Sequence, residues 1–135
     1  MPKLFDYVDA HGRNPFKEWS CNLEKRELAK LNRKLDLLQR HGNELPPGLL
    51  SNTSLAHILK IRINGEVAIR PLLCRGPINM ATDVEFTLLM GVYEKDRKLP
   101  PSALDAAELI RQEIGKNPQR RKEHERVSWR NSGRA

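Results

Sequence analysis

Two alternating runs of hydrophobic and polar residues predict β-strands in the first half of the chain. One run, 4–8, lies near the start of the sequence, and such alternation is typical of a strand with one buried face. The other run, 55–63, has Leu and Ile on one side and Lys60 and Arg62 on the other. We therefore expect two strands, of which the second has a basic face.

A tight turn and a return strand are predicted after the basic strand. Asn64-Gly65 is a pair typical of a two-residue hairpin turn, and the apolar run 66–75 is suited to return beside the first strand. Pro71 within this run requires an edge position or a bulge, because proline has no N–H to donate. A loop over 76–83 follows, and the apolar run 84–93 then predicts a central strand that completes a three-strand meander.

Helical periodicity predicts three helices outside the meander. Asn14-Pro15 is suited to cap and open a short helix. Leucines three or four residues apart predict a longer helix over 24–41, ended by Gly42. A third helix is expected over 102–114, with Ser102 as its capping residue.

The order of these elements predicts an α+β fold. A strand, two helices, a break at 46–48, three consecutive strands and a final helix follow one another along the chain. Strands that are neighbours in sequence favour an antiparallel sheet. We expect a small one, the N-terminal strand plus the meander, with the N-terminal helical pair and the C-terminal helix on one face.

Composition divides the chain into a nearly neutral body and a basic tail. The chain has 135 residues, 39% of them hydrophobic, and 24 Lys and Arg against 17 Asp and Glu, which suits one domain with an anionic partner. Residues 116–135 hold seven of the cations and only two carboxylates. We predict a domain over 1–115 and a basic C-terminal tail over 116–135, mobile or forming a short charged helix.

Several classes of protein are disfavoured by the sequence. It has no apolar run of membrane-spanning length and no signal-peptide core. Cys21 and Cys74 have no metal-binding spacing, so we expect two reduced thiols, no metal, no cofactor and a cytoplasmic location. No nucleotide-binding loop or hydrolase signature is present. His57, on the apolar side of its strand, is expected to be a partly buried structural histidine.

Cations cluster on and beside the meander. A row of lysines and arginines on one sheet face can hold a phosphodiester. A solvated, charged sheet face is the competing interpretation, and the meander alone slightly favours it. The cations concerned are Lys60, Arg62, Arg70, Arg75, Lys95, Arg97 and Lys98.

Three short segments, in the same order and spacing, carry a family resemblance. Residues 91–100 (GVYEKDRKLP), followed by Ala106 and Ala107 in a helix, resemble the C-terminal signature of HigB-type toxins of the RelE/ParE superfamily, which includes phage-derived toxin-like proteins. Residues 59–62 (LKIR) resemble a strand of that family, and Ile69-Arg70 resembles the start of its next strand. The resemblance implies a RelE-like fold.

The resemblance also implies a function. Such toxins act in type II toxin–antitoxin systems and cut mRNA on the ribosome by attack of the 2′-hydroxyl, without a metal or cofactor, thereby inhibiting translation. The partners implied are the ribosome, mRNA and a helix-turn-helix antitoxin, and no membrane. The catalytic residues implied are Lys60, Arg62, Arg70, Tyr93 and Lys95. The nucleic-acid-binding candidates within the domain are Arg75, Arg97 and Lys98, and the charge of the basic tail adds Arg120, Arg121 and Lys122.

Two departures from the family pattern keep other functions open. Glu94 stands where a lysine is usual and Val92 where an aromatic residue is usual. Glu94 is a proton acceptor or, as we favour from the sequence, an exposed structural carboxylate. The second hypothesis is therefore a protein of the same fold that does not cut RNA, such as a gyrase inhibitor or a phage protein that binds a host factor. The third is a plain basic RNA-binding protein, whose tail binds RNA or is merely solvated.

Overall fold

The computed structural model describes residues 3–41, 48–76 and 85–129. The predicted helix stop at Gly42 and the other features expected at 46–47 and 77–84 lie outside these ranges. The described residues form three helices and six strands. In chain order they are β1 (Lys3–Tyr7), α1 (Pro15–Cys21), α2 (Lys25–His41), β2 (Leu50–Asn52), β3 (Leu59–Ile61), β4 (Ala68–Arg75), β5 (Glu85–Glu94), α3 (Ala103–Lys116) and β6 (Arg121–Glu123).

The six strands form one mixed sheet in the order β2-β3-β4-β5-β1-β6. The α+β class is confirmed, but the expectation of a purely antiparallel sheet of four strands is wrong. Strand β1 runs parallel to β5, with Leu4 beside Phe86. The two additional strands, β2 and β6, have three residues each, which is too short for an alternating pattern to reveal them.

Helices cover both faces of the sheet, whereas the sequence predicted helices on one face only. Helices α1 and α2 pack on the side of Ile69 and Leu73, and α3 packs on the side of Leu72 and Cys74. These four residues of β4 alternate between the faces, and all are buried. A strand that is apolar on both sides needs a layer on each side to exclude water.

The N-terminal cap predicted from the sequence is present at α1 and absent at α3. Asn14 Oδ1 accepts a hydrogen bond from the Lys17 N–H at 2.9 Å, with Pro15 in the first turn. Ser102 makes no such capping bond, because its backbone is left-handed with φ of 64° and its hydroxyl donates to the Pro101 carbonyl. Helix α3 begins at Ala103 without a side-chain cap.

The meander is present, but its first strand is shorter than predicted. Strand β3 begins only at Leu59, so His57 lies in the turn before it and is exposed, not partly buried as expected. Pro71 lies in the central strand β4, next to the register shift between Leu72 and Leu73 in the β4–β5 pairing. A bulge is one of the two options that the sequence required for this proline.

The expectation of a mobile or helical tail is wrong for its described part. Strand β6 pairs with β1 in antiparallel fashion, with Arg121 opposite Tyr7. Val127 is buried in the core beneath α2, where its carbonyl accepts a hydrogen bond from Asn32 Nδ2 at 2.9 Å. One buried valine and one sheet edge are enough to fix a segment that has little hydrophobic pattern of its own. Residues 130–135 lie outside the described ranges.

Candidate functional site

Most of the predicted catalytic residues lie at one end of the sheet. In the β4–β5 pairing Ala68 is opposite Glu94 and Arg70 is opposite Val92. Ile63, just beyond β3, bridges to Ile69. The end of β3, the start of β4 and the end of β5 therefore meet, and they bring together Lys60, Arg62, Arg70, Glu94 and Lys95.

Arg70 is buried at this end of the sheet and is held by four hydrogen bonds. Its side chain is 5% exposed. Nη1 donates to the carbonyls of Ile63 (3.2 Å) and Ile69 (2.9 Å). Nη2 donates to Asn64 Oδ1 (3.2 Å) and Glu94 Oε1 (3.0 Å). All four terminal N–H groups of the guanidinium are therefore engaged. Its Nε is buried and has no hydrogen-bond partner among the described residues.

Glu94 lies between two cations and is not the exposed carboxylate that the sequence favoured. Its Oε1 accepts from Arg70, and its Oε2 lies 3.6 Å from Lys60 Nζ. The Glu94 side chain is 9% exposed and that of Lys60 16%. Alternation along β5 is the signal that sequence reasoning missed, because it places Glu94 on the same face as its cross-strand neighbour Arg70.

Four further cations lie at the same end of the sheet as this buried pair, and their side chains are exposed. Within the described ranges, none of them lies within 4.0 Å of a carboxylate. Charges without a protein partner are available for an anionic ligand. The four are Arg62, Lys95, Arg97 and Lys98.

A two-residue turn presents three of these cations. Lys95 and Lys98 exchange both backbone hydrogen bonds, at 3.0 and 2.8 Å, across Asp96 and Arg97. Asp96 and Arg97 both have positive φ, 51° and 63°, as in a type I′ turn. A left-handed arginine is uncommon. The turn backbone is closed by the two hydrogen bonds between Lys95 and Lys98, which brings these two residues opposite each other.

An apolar groove lies beside the same turn, along the edge of β5. Strand β1 pairs with β5 only as far as Leu88, so the later residues of β5 have an uncovered edge. A groove of about 590 Å³ follows this edge. Its walls are formed by Trp19 from α1, by Tyr93, and by Pro100-Pro101, and Lys95 and Lys98 also line it. The rings of Trp19 and Tyr93 are 6.1 Å apart.

Tyr93 lies on the other side of β5 from Arg70 and Glu94, and of the predicted catalytic residues only Lys95 lines the same groove in the described ranges. Tyr93 alternates with Glu94 along β5, so it lies on the side of α1 and Trp19, whereas Arg70 and Glu94 lie on the side of α3. Tyr93 is 39% exposed and lies in the groove. Trp19 is the groove residue that was missing from the predicted site. No pattern in the sequence predicted a ligand surface at this position.

The remaining predicted nucleic-acid-binding residues lie elsewhere. Arg75 is at the opposite end of β4 from Arg70, roughly 17 Å away at about 3.3 Å per residue. The three tail cations lie on or next to β6, two strands from β5. Each is within 4.0 Å of a carboxylate: Arg120 with Glu113, Arg121 with Glu85, and Lys122 with Glu125.

A second, smaller cavity of about 220 Å³ lies near the far end of β4. Cys74 and Arg111 are among its lining residues. Burial raises the pKa of the Cys74 thiol to about 12. Arg111 donates to both oxygens of Glu108 at 2.8 and 2.7 Å, and these hydrogen bonds hold the pKa of that carboxyl below its usual range. The cavity is therefore lined by a thiol of low reactivity and by an arginine whose charge is neutralised by Glu108.

In the part of the chain that the structure describes, no group of three His, Cys, Asp or Glu side chains could hold a metal ion. No helix there combines the length and apolar character needed to cross a membrane. Comparison of the chain with protein-family models, with curated proteins and with solved structures gives no significant match.

Proposed function

We propose that this protein is a toxin that cleaves mRNA on the ribosome, with the 2′-hydroxyl of the RNA as nucleophile. The observation that carries the proposal is the buried Arg70–Glu94 pair, at the same end of the sheet as the exposed cations Arg62, Lys95 and Lys98. A carboxylate at the same end of the sheet as exposed cations suits the chemistry of phosphodiester cleavage, which needs a proton acceptor and positive charge around the phosphorane.

In the proposed reaction Glu94 is the general base. Its carboxylate takes the proton of the 2′-hydroxyl, and the 2′-oxygen attacks the adjacent phosphorus. The bond to the 5′-oxygen breaks, and Lys95 donates a proton to the leaving oxygen. The products are a 2′,3′-cyclic phosphate and a 5′-hydroxyl end. A base within hydrogen-bond reach of the attacking group contributes roughly 10²- to 10⁴-fold to such rates.

Arg70 has a positioning role in this proposal. Its four terminal N–H groups already bind protein oxygens, so it orients Glu94 and does not bind the scissile phosphate. Arg62, which is exposed and has a bidentate donor geometry, binds that phosphate. Lys60 Nζ lies 3.6 Å from Glu94 Oε2 and helps to hold the carboxylate in place.

A purified ribosome assay tests the reaction. Wild-type protein is mixed with ribosomes carrying a defined mRNA, and the products are mapped by primer extension. We expect cleavage that is abolished when a single 2′-deoxy residue replaces the nucleotide at the cut. Glu94→Gln should lower the rate at least a hundredfold. Asp96→Asn, in the neighbouring exposed turn, is the matched control and should cleave normally. Persistent cleavage of the 2′-deoxy substrate would refute the mechanism.

A non-cleaving RNA-binding protein is the second candidate. The engagement of every terminal N–H of Arg70 favours it, because Glu94 neutralises the guanidinium that the family resemblance assigns to catalysis. In that case the four exposed cations hold an RNA backbone without cutting it. RNA binding in the ribosome assay, with no new 5′-ends in any wild-type sample, would establish this candidate instead.

A further inference from the structure

We infer that the groove beside β5 is a nucleobase-binding subsite for single-stranded RNA. The inference rests on the proposed function for the class of ligand, and it adds a recognition site that lies across β5 from the buried Arg70–Glu94 pair. Trp19, which no part of the proposed reaction uses, is the principal stacking surface. The groove volume of about 590 Å³ lies in the range typical of small-molecule sites.

The groove has the two chemical features that single-stranded nucleic acid requires. Its aromatic rings, Trp19 and Tyr93, offer π-faces on which any base can stack. Its cations, Lys95 and Lys98, have no carboxylate within 4.0 Å in the described residues and are available for phosphate oxygens. An apolar peptide could pack on the aromatic rings of the groove but would leave Lys95 and Lys98 without an anionic partner. The positive charge of the groove therefore favours a nucleotide as its ligand.

The geometry of the rings also limits how a base binds. The Trp19 and Tyr93 rings are tilted by 57° at a centroid distance of 6.1 Å, so no flat base fits between them as in a parallel stack. A base therefore stacks on one ring and meets the other at its edge. Pro100-Pro101 forms the opposite wall of the groove and restricts the size of the base.

The 95–98 turn connects the two sites. Arg70 and Glu94 lie on the α3 side of β5, and Trp19 and Tyr93 lie on the α1 side. An RNA strand that places a phosphate near Arg62 and a base on Trp19 must bend around the end of β5, over Lys95 and Lys98. Only a single strand with unstacked bases can follow this path, because the stacked bases of a duplex are not accessible to a groove of this kind.

Tryptophan fluorescence tests the subsite directly. The chain has two tryptophans, so Trp129→Phe leaves Trp19 as the sole reporter. The probes are a single-stranded purine tetraribonucleotide, an abasic phosphodiester of the same length, and a short RNA duplex. We expect strong quenching of Trp19 by the first probe and little by the other two.

Variants separate stacking from charge. Trp19→Leu and Tyr93→Leu should each weaken binding of a labelled single strand roughly 5- to 100-fold, with Trp19→Leu the larger effect because the indole is the principal stacking surface. Lys98→Gln should lower the slope of log affinity against log salt by about 0.7, the value for one lost single-strand phosphate contact. Lys3→Gln, at the opposite end of β1 and β5, is the matched control and should leave the slope unchanged.

Three outcomes would overturn the inference. Equal quenching by the abasic probe would mean that the site binds phosphate only. RNA binding without any change in Trp19 fluorescence, in protein that cleaves mRNA, would leave the proposed function standing and remove the subsite. A Trp19 response only to an added antitoxin or other protein would make the groove a protein-docking surface. Absence of both RNA binding and cleavage would instead be the failure of the proposed function.

Discussion

The indole ring of Trp19 lies directly against the backbone of Gly91, and a Cβ atom at position 91 would overlap three ring carbons. Gly91 is not a turn residue, because it lies within β5 and its φ is not positive. It gives Trp19 the space to reach the edge of β5, where the indole forms one wall of the groove. A glycine in a strand that allows such close approach is expected to resist substitution.

Substitution of Gly91 should therefore cost stability and remove the groove. We expect Gly91→Ala to lower the free energy of unfolding by about 1–3 kcal/mol, the usual cost of overpacking, and to shift the fluorescence of Trp19. Gly65→Ala is the matched control. The nearest atom to a Cβ there is the mobile Nζ of Lys30, so the change should be small. Equal effects of the two substitutions in chemical denaturation would contradict the packing described.

Arg70 and Arg62 should respond very differently to the same substitution. Arg70→Met leaves Glu94 buried without its closer counter-charge, and the loss of one partner of a buried pair typically costs about 3–5 kcal/mol. Arg62→Met removes an exposed cation that has no ion pair within the described ranges, and it should change stability by less than about 0.5 kcal/mol. Urea denaturation of the two variants measures this difference.

This difference in stability determines how activity assays of the two variants are interpreted. Loss of cleavage in an Arg70 variant would combine unfolding with a catalytic effect, whereas an Arg62 variant isolates phosphate binding. If Arg70→Met proved as stable as Arg62→Met, the buried pair would contribute nothing to folding, and the positioning role of Arg70 would lose its basis.

The tail should be an integral part of the folded domain. His124 Nδ1 lies 2.8 Å from Asp6 Oδ1, and Asn14 Nδ2 donates to Asp6 Oδ2 at 2.8 Å. Because the Asp6 and His124 side chains are both nearly buried, we expect His124→Ala to cost about 1–3 kcal/mol in the free energy of unfolding. His41→Ala, at the exposed end of α2, should cost almost nothing. A freely mobile tail would make the two thermal unfolding curves the same.

The two cysteines should differ in reactivity. Burial raises the pKa of Cys74 to about 12, and only the thiolate reacts with alkylating or disulfide reagents. At pH 8 we expect Cys21, which is partly exposed, to react more than about a hundredfold faster than Cys74. Both should react together in denaturant. Two fast thiols in the native protein would contradict the burial of Cys74.

The same thiol affects stability at high pH. The folded pKa of Cys74 is above the ordinary thiol value of 9.0. Its contribution to stability is therefore complete below about pH 9 and is lost as the pH rises toward 12, because the unfolded chain releases the proton first. Replacement of Cys74 by Ala should remove this part of the alkaline loss of stability.

Features of the fold that depend on neighbouring residues could be predicted from the sequence. The leucine spacing of α2 and the Asn14 cap each depend on neighbouring residues, and the structure has both. The two-residue turn predicted at Asn64-Gly65 is wrong: Ile63 bridges to Ile69 across five residues, and neither Asn64 nor Gly65 has positive φ. The clustering of cations at the ends of β3, β4 and β5 also followed from alternation and pairing. These are properties of short segments, for which a single sequence contains enough information.

Features that depend on distant residues could not be predicted. The parallel pairing of β1 with β5, the attachment of β6 to β1, and the placement of Val127 beneath α2 all join segments far apart in sequence. The burial of Glu94 is of the same kind, since it depends on Arg70 across the sheet. The groove needs α1, β5 and the 98–101 segment together, so Trp19 gave no sign of a functional role.

The most direct test of the central claim is to map mRNA 5′-ends in bacteria after induced expression. Wild type, Glu94→Gln and Asp96→Asn are compared for growth and for new ends within translated reading frames. We expect growth arrest with 5′-hydroxyl ends in wild type and Asp96→Asn, and neither effect in Glu94→Gln at equal soluble expression. Arrest with intact mRNA, which would indicate another target such as gyrase, or soluble wild-type protein without arrest, would contradict the central claim.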